Sequence, residues 1–173
     1  MKPIRIFISS PGDVKEERER AVEVIQSLRR RYARKFVLQP VVWEDLPLEP
    51  DMSFQQGIDL FLQNPGVDIA VFILWSRLGS PLGPAIRKPD GSPYRSGTER
   101  EYDLLTHARR QSLETEGAAR PRMIVYTRRD DSGFHARLRG RKTEELAELL
   151  EQKQLAESFM RETFHDPETA TNI

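Results

Sequence analysis

Cysteine is absent from all 173 residues, so a disulfide framework, a thiolate metal site and a cysteine nucleophile are all excluded. That absence fits a reducing, cytoplasmic compartment. An excess of one charge is missing too: 27 Lys and Arg stand against 27 Asp and Glu, a formal net charge of zero, which removes the uniformly basic surface of a nucleic-acid binder. No apolar run approaches the roughly 20 residues that a membrane-spanning helix needs. The start, Met1-Lys2-Pro3-Ile4-Arg5, carries no signal-peptide apolar region. Apolar residues make up 38% of the chain and charged residues 31%, so the core must be compact and the helices heavily solvated. The length suits a single domain with a buried sheet.

What is present alternates between strand and helix signals. Ile4 to Ser9 reads as a strand that runs into the turn Ser10-Pro11-Gly12. A helix is expected next, capped by Asp13, with Val14, Ala21, Val22, Ile25 and Leu28 as its apolar stripe. Leu38 to Trp43 reads as a second strand, followed by a proline-rich turn and a short helix from Ser53 to about Leu62. Val67 to Trp75 is apolar with almost no alternation, the pattern of a central strand in a parallel sheet. Arg77 to Ser96 forms a long loop rich in glycine and proline, and such loops are often functional. A helix from about Thr98 to Arg110, a strand at Met123 to Thr127 and a long helix marked by Leu146 to Phe164 complete the domain. This order predicts an α/β fold, a flavodoxin-like doubly wound parallel sheet of four to five strands with helices on both faces. Ligands in such sheets bind beyond the carboxyl ends of the strands, which here carry Ser9-Ser10, Trp43-Glu44-Asp45 and Trp75-Ser76-Arg77.

Two segments near those ends have the residue types for chemistry. In Phe7-Ile8-Ser9-Ser10-Pro11-Gly12-Asp13, small residues let amides and hydroxyls approach a ligand, although a capped turn alone explains Asp13. The segment has neither GxGxxG nor GxxxxGK[ST] spacing, which argues against a Rossmann dinucleotide site and a P-loop. In Ser96-Gly97-Thr98-Glu99-Arg100-Glu101-Tyr102, Glu99 follows the expected cap Thr98 and suits dipole compensation. Glu101 lies on another helical face and can turn toward the strand ends. His107, His135 and His165 have no metal-ligand spacing, so no metal is assigned. No G-x-S-x-G elbow or evident Ser-His pairing suggests a hydrolase triad. The basic runs Arg29-Arg30-Arg31 and Arg137 to Lys142 read as solvated faces.

Three ordered motifs resemble a family: strand-Ser-Ser-Pro-Gly-Asp-Val-x-Glu-Glu-Arg, Ile73-Leu74-Trp75-Ser76-Arg77-Leu78-Gly79-Ser80-Pro81, and Ser96-Gly97-Thr98-Glu99-x-Glu101. Together they resemble the TIR-like domains at the N-terminus of bacterial multidomain NTPases of the STAND type, which carry NACHT or similar ATPase modules. The resemblance implies a domain over residues 1–164 and a flexible tail, 165–173, that leads toward further modules. It matches Phe7-Ile8-Ser9 to the end of the first TIR strand, Trp43 through Ser53 to the mobile loop after the second, and Ser76 to the serine ending the third. The Glu-aromatic-x-x-aliphatic register places the TIR catalytic glutamate on Glu101, and the similar Gly-Thr-x-x-Glu helix start of nucleoside deoxyribosyltransferases, here with Thr98, lands there too. Thr98-Glu99 stands where TIR domains often have a Trp-Cys pair.

The resemblance implies cleavage of the N-glycosidic bond of NAD⁺ or a related nucleotide, in a bacterial immune protein of the antiphage type activated by oligomerisation. NAD⁺ is then the substrate, and no cofactor is expected. Glu101 would stabilise the ribosyl cation, Trp43 or Trp75 would stack on a base, Ser9, Ser10 and Ser76 would hydrogen-bond ribose or phosphate, and Arg77 or Arg95 would neutralise the diphosphate. A different class stays open: a non-enzymatic module that assembles with its own kind or another TIR-like domain through Leu46, Leu48 and Met52. A nucleotide sensor without turnover is the third possibility. In the catalytic reading, the loop from Arg77 to Ser96 is expected to act as a lid.

Overall fold

A computed structural model of the chain describes residues 2–46, 54–63, 66–163 and 170–172. Its elements in order are β1 (Pro3–Ser9), α1 (Lys15–Arg31), β2 (Val37–Val42), α2 (Phe54–Gln63), β3 (Ile69–Leu74), α3 (Gly97–Glu116), β4 (Arg122–Thr127), α4 (Asp131–Leu138), α5 (Thr143–Thr163) and β5 (Ala170–Asn172). Single turns of 3-10 helix at Gly12–Val14 and Trp43–Asp45 follow β1 and β2.

The strands form one sheet in the order β2-β1-β3-β4-β5, and every neighbouring pair is parallel. This is the doubly wound, flavodoxin-like arrangement that the alternating pattern predicts. Successive side chains of a strand point to opposite faces, so parity decides which helix layer each one meets. Phe7 on β1 and Ala70, Phe72 and Leu74 on β3 pack beneath α2, α3 and α5, together with Ile58, Leu105 and Phe159. Ile6 and Ile8 on β1 and Val71 and Ile73 on β3 face the other way, against Ile25 of α1 and Phe134 of α4. Phe7, Phe72 and Leu74 are fully buried, each contributing on the order of 1.5–3 kcal/mol. With both faces covered, β3 has no use for polar alternation.

Several local expectations are corrected. Asp13 does not cap α1, whose N-cap position is Val14. Its carboxylate instead accepts hydrogen bonds from the backbone N–H and hydroxyl of Ser76 at 3.0 and 2.9 Å, tying the β1–α1 turn to the end of β3. The cap of α3 is Ser96, not Thr98, and its hydroxyl accepts from the Glu99 N–H. Leu28, placed on the buried stripe of α1, is 38% exposed and belongs to neither core cluster. Leading into the basic run that starts at Arg137 is the unanticipated α4, capped by Asp130, whose side chain accepts from the Gly133 N–H. Ala170–Asn172, read as part of a free tail, pairs with β4 as a short edge strand.

Candidate functional site

In a 2-1-3-4-5 sheet the connections from β1 and β3 leave toward opposite layers, which opens a crevice above their carboxyl ends. A cleft of about 820 Å³ lies at that place. Ser10 and Gly12 after β1, Trp43 after β2, Gln55 and Ile58 of α2, Arg77 to Ile86 after β3, and Gly97, Thr98 and Glu101 of α3 all contribute to its lining.

Glu101 lies at the junction of cleft and core. Ser9 shares the parity of Phe7 and so faces α3, where its hydroxyl donates to Glu101 Oε2 at 2.5 Å. Both residues are buried. Burial favours the neutral acid and pushes the Glu101 carboxyl up to about 7; the Ser9 hydrogen bond opposes this and the negative charge of Asp59 adds to it. A carboxyl that changes charge near neutrality, at the base of a cleft, has the properties of a reactive group.

The residues singled out from sequence fall into two sets. Ser10, Trp43, Arg77, Thr98 and Glu101 line the cleft, with Ser9 behind Glu101. Trp75, Ser76 and Arg95 do not line it. Trp75 has the parity of Ile73 and packs in the opposite core, with the guanidinium groups of Arg128 and Arg137 over its ring at 4.1 and 5.1 Å from the ring centre. The Ser76 hydroxyl donates to Asp13 and accepts from Arg137. Arg95 pairs with Glu99 and with Glu162 of α5. Leu46 is buried in the core beside α2; Leu48, Met52 and Ser53 lie outside the described residues.

Glu99 and Glu101, two residues apart in the first turns of α3, have different surroundings. Glu99 accepts from Lys88 Nζ at 2.8 Å, from the Arg95 guanidinium at 2.8 and 2.9 Å, and from the Arg95 N–H at 2.6 Å. Burial alone would push its pKa up, but these donors outweigh burial and hold the carboxyl below its ordinary value. Glu99 thus fastens Lys88, and with it the long loop, to the first turn of α3. The loop is further closed by hydrogen bonds from the Lys88 N–H to the Ser92 carbonyl and from the Gly97 N–H to the Ser80 carbonyl. Arg77 to Ile86 thus form a wall of the cleft. Gly79 has φ +115°, a conformation that side chains resist, and a Cβ there would stand 3.1 Å from the Thr98 hydroxyl oxygen.

Sequence reasoning missed two positioning groups, Arg18 and Asp59. Arg18 is buried and reaches the Ser10 hydroxyl at 3.0 Å, Glu44 at 2.8 Å and the face of Trp43 at 5.6 Å. A signal for it existed: Arg18 follows Val14 by four residues and precedes Val22 by four, a stripe position. Asp59 accepts from Arg100 Nε at 2.7 Å and from Gln55 Nε2 at 3.0 Å, which braces α2 against the start of α3. Among the described residues no cluster of His, Asp and Glu could hold a metal ion, and no helix is long and apolar enough to cross a membrane. No protein-family model matches the chain, and no curated protein matches it.

Proposed function

We propose that this is a TIR-like N-glycosidase domain of a cytoplasmic protein, cleaving the bond between ribose and base in NAD⁺ or a related nucleotide. One observation carries the reading: a buried carboxyl, Glu101, held by the Ser9 hydroxyl at the base of the switch-point cleft. The wider family reading rests on the three sequence motifs.

The C1′–N bond breaks heterolytically and the base leaves with the bonding pair. Nicotinamide is cationic while attached and leaves neutral, so no acid is needed. The ribosyl carbon becomes an oxocarbenium-like cation, and ionised Glu101 stabilises it in a site where burial strengthens the attraction. A water oxygen then bonds to C1′ and its proton passes to solvent. Trp43 supplies an aromatic face to the cleft, and Thr98 a hydroxyl. The positive charge of the substrate itself favours the ionised form of Glu101.

The test is nicotinamide release from NAD⁺ by the oligomerised domain. Glu101→Gln is expected to lower kcat by about 10²–10³, the scale of losing one preorganised electrostatic group. Because the carboxylate is the working form, the wild-type rate should rise with pH and level off above about 7. Full activity in Glu101→Gln, or a rate that falls across that range, overturns the assignment.

A further inference from the structure

We propose that the cleft holds a phosphoryl-binding subsite between the hydroxyl of Ser10, after β1, and the guanidinium of Arg77, after β3, with Arg18 as the positioning residue behind Ser10. The proposal deepens the N-glycosidase reading by naming the substrate class: a 5′-phosphorylated N-ribosyl compound whose affinity comes chiefly from one phosphoryl group.

Arg77 stands out among the arginines at this end of the sheet. Arg18, Arg95, Arg100 and Arg128 each have a carboxylate partner within 2.8 Å, and Arg137 donates to Ser76. Arg77 has no hydrogen bond or ion pair among the described residues, yet it is half-buried and lines a cleft whose adjoining wall is Pro81, Leu82, Pro84 and Ile86. A planar guanidinium left without an anion in a concave site is suited to a phosphoryl oxygen.

Ser10 supplies the second group. Its oxygen accepts from Arg18 Nη1, so its own hydrogen remains for an acceptor in the cleft. Arg18 also reaches the Ser10 carbonyl at 3.5 Å, fixing both ends of the residue. The carboxylate that balances Arg18, Glu44, is exposed to solvent at 37% of its side chain, whereas Arg18 is 8% exposed. Water therefore screens the negative partner more than the buried cation.

The opposite polarity of Glu101 orients the ligand. An ionised carboxylate repels a phosphoryl group and attracts a developing ribosyl cation, so C1′ belongs at Glu101 and the 5′ end at Arg77. With a single unpaired cation lining the described cleft, a second phosphate gains no comparable contact.

The experiment compares nicotinamide riboside, nicotinamide mononucleotide and NAD⁺ as substrates of the oligomerised full chain. In parallel, AMP and adenosine are compared as thermal stabilisers. The mononucleotide is expected to exceed the riboside in kcat/KM by about tenfold or more, the scale of one charge-assisted hydrogen bond, with NAD⁺ close to the mononucleotide. Arg77→Gln should collapse that ratio mainly through KM, and Arg77→Lys should restore part of it. AMP should raise Tm where adenosine does not, and Arg77→Gln should abolish the difference. Equal kcat/KM for riboside and mononucleotide overturns the subsite and leaves the N-glycosidase reading standing. If no substrate is cleaved but the AMP shift persists and depends on Arg77, the subsite stands and the N-glycosidase reading falls. With neither cleavage nor an AMP shift, both fall.

Discussion

Glu101→Gln is expected to stabilise the protein at pH 8 by about 3 kcal/mol while lowering the proposed nicotinamide release by about 10²–10³. The magnitude follows from the rise of the carboxyl from 4.5 to about 7, at about 1.4 kcal/mol per unit. A group with a raised folded-state value binds its proton more tightly in the folded chain than in the unfolded one. Its favourable contribution is complete below about 4.5 and is lost as pH rises through about 7. Above that pH the wild type keeps an ionised carboxylate buried, and glutamine relieves that penalty while its amide oxygen can still accept from Ser9. Urea unfolding of both proteins from pH 4 to pH 8 measures the effect. The two stabilities should diverge as pH rises and converge near pH 4. Parallel curves would show that Glu101 is not a buried titrating group, whatever the activity assay reports.

Two residues away the opposite result is expected. Glu99→Gln should destabilise the protein by about 2–3 kcal/mol, somewhat below the usual cost of breaking a buried ion pair because the cations are partly solvated. Lys88 and Arg95 are each 26% exposed, against 3% for Glu99. The substitution leaves two cations facing a neutral amide whose NH₂ cannot accept from them. Since the Glu99 carboxyl is held below its ordinary value, its contribution is present above the unfolded value and disappears as pH falls through the folded one. Hydrogen exchange gives the spatial signature: amides of Lys88 and Gly97, bonded within the loop and to its first half, should lose protection while those of β3 keep theirs. Unchanged protection at Lys88 would sink the claim that Glu99 fastens the loop. Opposite pH slopes for the two variants would separate an ion-paired carboxylate from one raised by burial without any substrate.

The fold was legible where the chain is strongly patterned. Val67 to Trp75, apolar without alternation, marks the central parallel strand, and the strand-helix order leads to the 2-1-3-4-5 sheet. Glu101 could be favoured over Glu99 from the register that the family resemblance supplies, and Glu101 lines the cleft. What could not be read was side-chain direction at strand ends. Ser9, Trp75 and Ser76 all look available in a linear sequence, but parity sends Trp75 to the far face, and the distant carboxylate of Asp13 takes Ser76. Arg18 was hidden for another reason: inside Lys15-Glu16-Glu17-Arg18-Glu19-Arg20 it looks like one more surface charge. Only its tertiary partners, Ser10, Glu44 and Trp43, distinguish it. Helix α4 escaped because it is short and contains a glycine, so its docking depends on tertiary packing more than on propensity.

The placement of the two tryptophans on opposite layers has a spectroscopic consequence. Trp43 borders the cleft, whereas Trp75 lies against Arg128 and Arg137 in the other core. Intrinsic fluorescence therefore has two spatially separate sources in one small domain. With Trp75 replaced by phenylalanine, the remaining emission reports occupancy of the cleft. With Trp43 replaced, it follows the integrity of the α1–α4 layer. A ligand titration and a denaturation curve can thus be recorded by the same instrument, each from its own side of the sheet.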